Sequence, residues 1–243
     1  MTEYLFRDDA YLTDAEARVT AVGPGGVELD RTIFYAASGG QPGDTGVLVL
    51  ADGREAGVVD TVHPGGDRTR VLHVLAEGAP VPAVGEAVAL RLDAARRRRL
   101  MRVHTALHLL SVVLPFPVTG GAIGEEKGRL DFDMATPPED LAAVEAALAD
   151  LVARDLPVTA EWITDDELAA RPDLVKTMKV KPPTGQGRVR LVRIGTGDAT
   201  VDLQPCGGTH VARTGEIGRL AIGKVEKKGR ENRRVHLLLA DPA

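Results

Sequence analysis

Short apolar runs separated by glycine turns fill the first third of the chain. Val27-Glu28-Leu29, Thr45 to Leu50, Gly57 to Val62 and Arg70 to Leu75 read as strands, and Gly85 to Leu92 as a last one. Pro24-Gly25-Gly26, Asp52-Gly53 and Pro64-Gly65-Gly66 supply the turns between them. Many short strands joined this way predict a small antiparallel barrel over residues 1–92.

The period of the pattern then changes. Asp93 can cap a helix from Ala94 to about Leu114, which Pro115 ends. Leu100, Val103, Leu107, Leu110 and Leu114 form one apolar stripe along it, and Arg96 to Arg99 read as an exposed first face. A second helix is expected to begin at Thr136-Pro137-Pro138, with Leu141, Val144, Leu148 and Leu151 as its stripe. Thr164 and Glu167 have the spacing of a capping box for a third, short helix. Lys176 to Gly187 reads as a loop, followed by strands at Arg188 to Ile194, Thr200 to Leu203, Leu220 to Val225 and Arg233 to Leu239. The whole predicts an α+β chain: an N-terminal small β-barrel over 1–92, then a two-layer α/β domain over 93–243 with helices on an antiparallel sheet.

Composition narrows the setting. A chain of 243 residues is long enough to bury a core without disulfides, and its single cysteine can form none within the chain. The first residues lack a basic segment followed by an apolar one, and no apolar run approaches the ~20 residues of a membrane helix. A soluble, cytoplasmic protein with no membrane partner is expected.

The net charge of −5 argues against a nucleic-acid partner, but its distribution argues the other way. Residues 1–92 hold 7 Lys/Arg against 14 Asp/Glu, and residues 93–243 hold 23 against 21. Lys224, Lys227, Lys228, Arg230, Arg233 and Arg234 crowd one short stretch, with only Glu226 and Glu231 as acidic residues among them. Such a cluster is either a phosphate-binding patch or a solvated face.

The chemistry is concentrated in two phrases, His104-Thr105-Ala106-Leu107-His108 and Cys206-Gly207-Gly208-Thr209-His210. Residues four apart on a helix share a face, so His104 and His108 can reach one ion. Imidazoles with one thiolate suit tetrahedral zinc. No glutamate stands between the histidines to serve as the base of a metallopeptidase, which argues against peptide hydrolysis. His63, His73 and His236 lie outside these phrases and read as ordinary histidines.

Upstream stands the glycine-rich phrase Phe34-Tyr35-Ala36-Ala37-Ser38-Gly39-Gly40-Gln41-Pro42-Gly43-Asp44-Thr45-Gly46. With the two metal phrases it resembles the free-standing alanyl-tRNA editing proteins, relatives of the editing domain of alanyl-tRNA synthetase. The resemblance runs from about Phe34 to about Leu239. It implies a barrel domain followed by an editing domain. It implies zinc on His104, His108, Cys206 and His210, and hydrolysis of the ester on mischarged tRNA for alanine, in its seryl form and also its glycyl form. Gln41, Gln204 and Thr105 are then the catalytic candidates. Gly39, Gly40 and Gln41 would position substrate, with Thr119 and Thr209 near it, and the basic stretch from Lys224 to Arg234 would hold tRNA. Many synthetase editing domains read HTATH where this chain has Leu107, so that threonine is missing here. The alternative is a non-catalytic tRNA-binding module with a structural zinc, because four protein ligands are what a closed structural site has.

Overall fold

Buried and exposed positions alternate along the N-terminal strands of the computed structural model, which describes residues 2–176 and 187–240. Two units divide the chain, Met1–Arg98 and Arg99–Ala243. In the first lie β1 (Glu3–Tyr4), β2 (Asp14–Gly23), β3 (Gly26–Leu29), β4 (Arg31–Thr32), β5 (Gly46–Val49), β6 (Glu55–Val62), β7 (Leu72–Leu75) and β8 (Ala87–Leu92). β2, β3, β7, β6, β5 and β8 close into a barrel in that order, while β1 and β4 form a separate parallel pair. Alternate residues point inward: Val88 and Leu90 from β8, Ala56 and Val58 from β6, Val27 and Leu29 from β3. Closure leaves the barrel strands no unpaired edge.

The expected barrel strands are present, but the longest member, β2, is not one that the apolar pattern predicts. Its Asp14-Ala15-Glu16-Ala17-Arg18-Val19 sets small or apolar residues against charged ones, and only Ala17 and Val19 are buried in that run. That is a half-buried strand with little apolar bulk to announce it.

α1 (Ala94–Val113) follows, and Asp93 Oδ1 accepts from Arg96 N at 3.0 Å as a helix cap. The helix is buried on nearly all sides from Leu100 to Ser111, not along one stripe. Arg97 departs from the exposed face expected of it. It is 2% exposed, and its guanidinium binds Asp44 of the glycine-rich phrase, Ile33 O at 2.7 Å and Ala10 O at 2.9 Å. An arginine at such a position is satisfied by a fork of acceptors that sequence spacing does not display.

The second unit adds β9 (Val118–Ile123), β10 (Lys127–Asp133), α2 (Leu141–Ala153), β11 (Val158–Thr164), α3 (Asp165–Ala169), β12 (Arg188–Ile194), β13 (Asp202–Pro205), β14 (Leu220–Lys227) and β15 (Asn232–Leu239). It holds two antiparallel sheets, β14-β15-β10-β9 and β11-β12-β13. α1 packs closely on β10: a Cβ at Gly128 would fall 2.7 Å from Val103 Cγ1 and 2.9 Å from Leu107 Cδ1. α2 lies against β14, and Leu168 of α3, with Leu174 from the turn that follows, covers Val189 and Leu191 on one face of the smaller sheet.

Several elements differ from expectation, among them the strand expected at Thr200 to Leu203, which runs from Asp202 to Pro205. α2 starts after Asp140, whose side chain accepts from Ala143 N, and not at the Thr136-Pro137-Pro138 phrase. β9, β10 and β11 are absent from the predicted elements, because Gly120-Gly121 and alternating charges hide their apolar faces. The Thr164–Glu167 capping box is formed. Most of the loop expected over 176–187 lies outside the described residues.

Candidate metal centre

α1 presents His104 and His108 one turn apart, and the loop leaving β13 carries Cys206 and His210. One donor atom from each of the four lies within 4.8 Å of the others. Cys206 Sγ is 3.4 Å from His104 Nε2 and 3.3 Å from His210 Nε2. Ligand bonds of 2.0–2.3 Å put the edges of a zinc tetrahedron at about 3.3–3.6 Å, so these separations already suit one ion. The three histidines are buried, whereas Cys206 is partly exposed.

A second layer of side chains orients this set. His108 Nδ1 donates to Asp202 Oδ2 at 2.8 Å, which leaves Nε2 facing the cluster. Asp202 also accepts from Lys176 Nζ at 2.5 Å and Gln204 Nε2 at 2.9 Å. Thr105 Oγ1 donates to Met101 O at 3.0 Å and so accepts from His210 Nδ1 at 3.1 Å, again directing Nε2 inward. Arg190 holds the ligand loop: its Nη1 donates to Cys206 O and Gly208 O, both at 3.0 Å. Asp202, Gln204 and Cys206 fall at every second residue, so one strand face serves the cluster.

The charges agree with a cation site. Burial raises the Cys206 thiol, but His104 and His210 outweigh it and hold the thiol well below its ordinary value. Burial likewise raises Asp202, yet His108 and Lys176 bring it down to about 2. His108 is pushed up to about 9, because Asp202 and Cys206 overcome burial. His210 is pushed down to about 3 by burial and by His104. A partly exposed thiolate and a buried carboxylate thus draw a positive charge into the space between the rings. A divalent cation would supply that charge. Three imidazoles and a thiolate are a fitting donor set for such an ion.

The remaining expected residues divide by place. Thr105 and Gln204 belong to the cluster through His210 and Asp202. Thr209 is fully buried in the ligand loop. Thr119 lies on β9, where its hydroxyl donates to Asp131 O at 3.1 Å and accepts from Asn232 Nδ2 at 2.5 Å. Gly39 and Gly40 make a tight turn in the first unit, with φ of 57° and 86°, between Ser38 and Gln41, which exchange backbone hydrogen bonds. Glycine takes two such angles in succession at no steric cost. Gln41 is buried beside this turn.

Within the basic stretch, Lys224, Lys227, Lys228 and Arg230 are exposed around the β14–β15 turn. Lys224 pairs with Glu226 at 2.7 Å. Arg233 is buried and donates to the carbonyls of Ala135, Gly229 and Asn232. Arg234 pairs with both carboxylate oxygens of Asp131, at 2.7 and 2.9 Å. His73 is enclosed in the barrel and His236 pairs with Glu226, apart from the cluster. Asp202, Lys176 and Arg97 have partners that no local spacing displays. The period-two row Asp202-Gln204-Cys206 carries a signal for the first.

Comparison with known proteins adds a family. Residues 189–236 match the model of the threonyl and alanyl tRNA synthetase second additional domain, and residues 6–96 that of class II (A) tRNA synthetases. The alanyl-tRNA editing protein AlaX-M of Methanosarcina mazei is 36% identical over 100% of this chain and 98% of its own length. That of Saccharolobus solfataricus is 32% identical over 97% of this chain and 98% of its own. The alanine–tRNA ligase of Caldivirga maquilingensis is 36% identical over 93% of this chain, which spans only 25% of that ligase.

Proposed function

This chain belongs to the alanyl-tRNA editing protein family, and we propose on that premise that it hydrolyses serine or glycine from mischarged tRNA for alanine. The observation that carries the reading is the His104, His108, Cys206, His210 cluster with its histidines oriented by Asp202 and Thr105. We assign zinc as the ion these residues hold, on the strength of the nitrogen and sulfur donors. Zinc would supply Lewis acidity towards an ester carbonyl or a water.

The chain's own residues do the rest. Asp202 holds the Nδ1 proton of His108, and Thr105 takes that of His210, so both rings keep one tautomer. Gln204 steadies Asp202 through Nε2 and keeps Oε1 to accept from a substrate hydroxyl. Thr209, between Cys206 and His210 in the sequence, completes the proposed polar lining. An alanine ester would leave such polar groups without a partner, which is how the correct product is spared. Gly39, Gly40 and Gln41 position substrate, and residues 1–92 act as the supporting domain to the 93–243 editing domain. A lone cysteine committed to a metal, with no disulfide in the chain, is in keeping with work in the cytoplasm. Among the described residues no helix is long and apolar enough to cross a membrane.

Four protein donors also fit a closed structural zinc in a non-catalytic tRNA-binding module. Incubating the purified chain with seryl-, glycyl- and alanyl-tRNA for alanine separates the two. Editing predicts loss of the seryl ester well ahead of alanyl, by less than the ~10⁴–10⁵ of a fully hydroxyl-matched site, with glycyl, which also lacks the hydroxyl, measured beside them. Equal rates on seryl and alanyl forms, or none on any, contradict it.

A further inference from the structure

The smaller sheet has one face that leads to the cluster. Trp162 on β11 pairs with Arg190 on β12, and Cys206 N donates to Arg190 O at 3.1 Å. Paired residues share a face, so Trp162, Arg190 and Cys206 form a row across three strands. Gln204 and Asp202 continue that face through their pairs Val192 and Ile194. The opposite face is the one closed by Leu168, Leu174, Val189 and Leu191. Two strand spacings separate Trp162 from the ligand loop, about 10 Å.

Trp162 is the single tryptophan of the chain and is 38% exposed. Arg188, itself exposed, sets its guanidinium 4.7 Å from the ring centroid. Neither the ligand set nor its supporting residues use this pair. An exposed indole flanked by arginine is what an unpaired base with its phosphate recognises, the ring by stacking and the phosphate by charge. An aliphatic protein segment would find no use for the guanidinium.

We infer that Trp162 and Arg188 form a stacking platform for an unpaired nucleotide of the tRNA acceptor end, next to the nucleotide whose ester enters the cluster. The inference rests on the editing reading for its ligand. Trp162 receives the base, Arg188 its phosphate, and Arg190 ties the platform to the ligand loop.

The lone tryptophan reports on itself. The full-length, metal-loaded protein is titrated with a single-stranded RNA pentamer ending in cytidine-cytidine-adenosine, and indole fluorescence is followed. Saturable quenching is expected. Arg188→Ala should weaken binding and lower the log–log salt slope by about 0.7, the share of a single phosphate on a single strand. In deacylation of seryl-tRNA, Trp162→Ala should raise KM roughly 5- to 150-fold with kcat little changed, and Trp162→Phe should recover most of the loss. Unchanged circular dichroism and metal content in these variants would show that folding is not the cause. An unquenched indole with wild-type KM in Trp162→Ala overturns the platform and leaves the patch to a protein partner. Quenching in a wild-type protein that hydrolyses no ester keeps the platform and removes the editing reading. Hydrolysis that is indifferent to Trp162→Ala does the reverse.

Discussion

Asp202 Oδ2 accepts the Nδ1 proton of His108 at 2.8 Å, deep behind the cluster. The carboxylate is fully enclosed and receives Lys176 and Gln204 as well. Partners of this kind fix ring orientation and ligand basicity, and their loss costs about 10–100-fold in metal affinity. Asp202→Asn should therefore bind zinc about that much more weakly in chelator competition, with hydrolysis falling in parallel when metal is limiting. Wild-type affinity in this variant would reduce Asp202 to a packing role.

The basic turn between β14 and β15 divides by exposure. Lys227, Lys228 and Arg230 reach solvent, while Arg233 and Arg234 are committed to carbonyls and to Asp131. The triple variant Lys227→Ala, Lys228→Ala, Arg230→Ala should lower the salt slope of tRNA binding by roughly 0.7–0.9 for each phosphate that these side chains neutralise. Arg233→Ala should instead destabilise the fold. An unchanged slope in the triple variant returns this turn to a plain solvated surface.

The buried pair of Arg97 and Asp44 offers a test on the first unit. Removing one partner strands the other charge, at a cost of about 3–5 kcal/mol. Arg97→Met or Asp44→Leu alone should show that loss in urea unfolding, and the double variant should lose much less than the sum. Additive losses would mean that the pair does not act as a unit.

These residues also mark how far the sequence can be read. The four donors are legible because helical spacing and a lone cysteine inside a motif are local signals. The barrel is legible from glycine turns between short apolar runs. Arg97 is not: within Arg96-Arg97-Arg98-Arg99 nothing local distinguishes the one residue that the fold buries against Asp44, 53 positions away. Asp202 is hidden for a similar reason, since its partner His108 is 94 positions away. β2 and β9 escape because small residues and glycine carry their inward faces.

His73 governs acid sensitivity in the barrel. Its Nδ1 lies 3.2 Å from Val27 O and its Nε2 2.7 Å from Thr32 Oγ1, which suits a neutral ring. Burial pushes its pKa from 6.5 down to about 4. The unfolded chain therefore takes up this proton near pH 6.5 and the folded chain only near 4. The contribution of neutral His73 is complete above about 6.5 and is lost as pH falls towards 4, up to about 3 kcal/mol. Urea unfolding of wild type should weaken across this window, and His73→Gln should show a correspondingly flatter dependence. Identical pH profiles would contradict the assignment.

The most direct measurement pairs elemental analysis with seryl-tRNA hydrolysis in wild type and in a His104→Ala, His108→Ala double variant. The account predicts about one zinc per wild-type chain, little in the variant, and loss of hydrolysis with the metal. Equal zinc in both proteins, or full hydrolysis by the zinc-free variant, would contradict it.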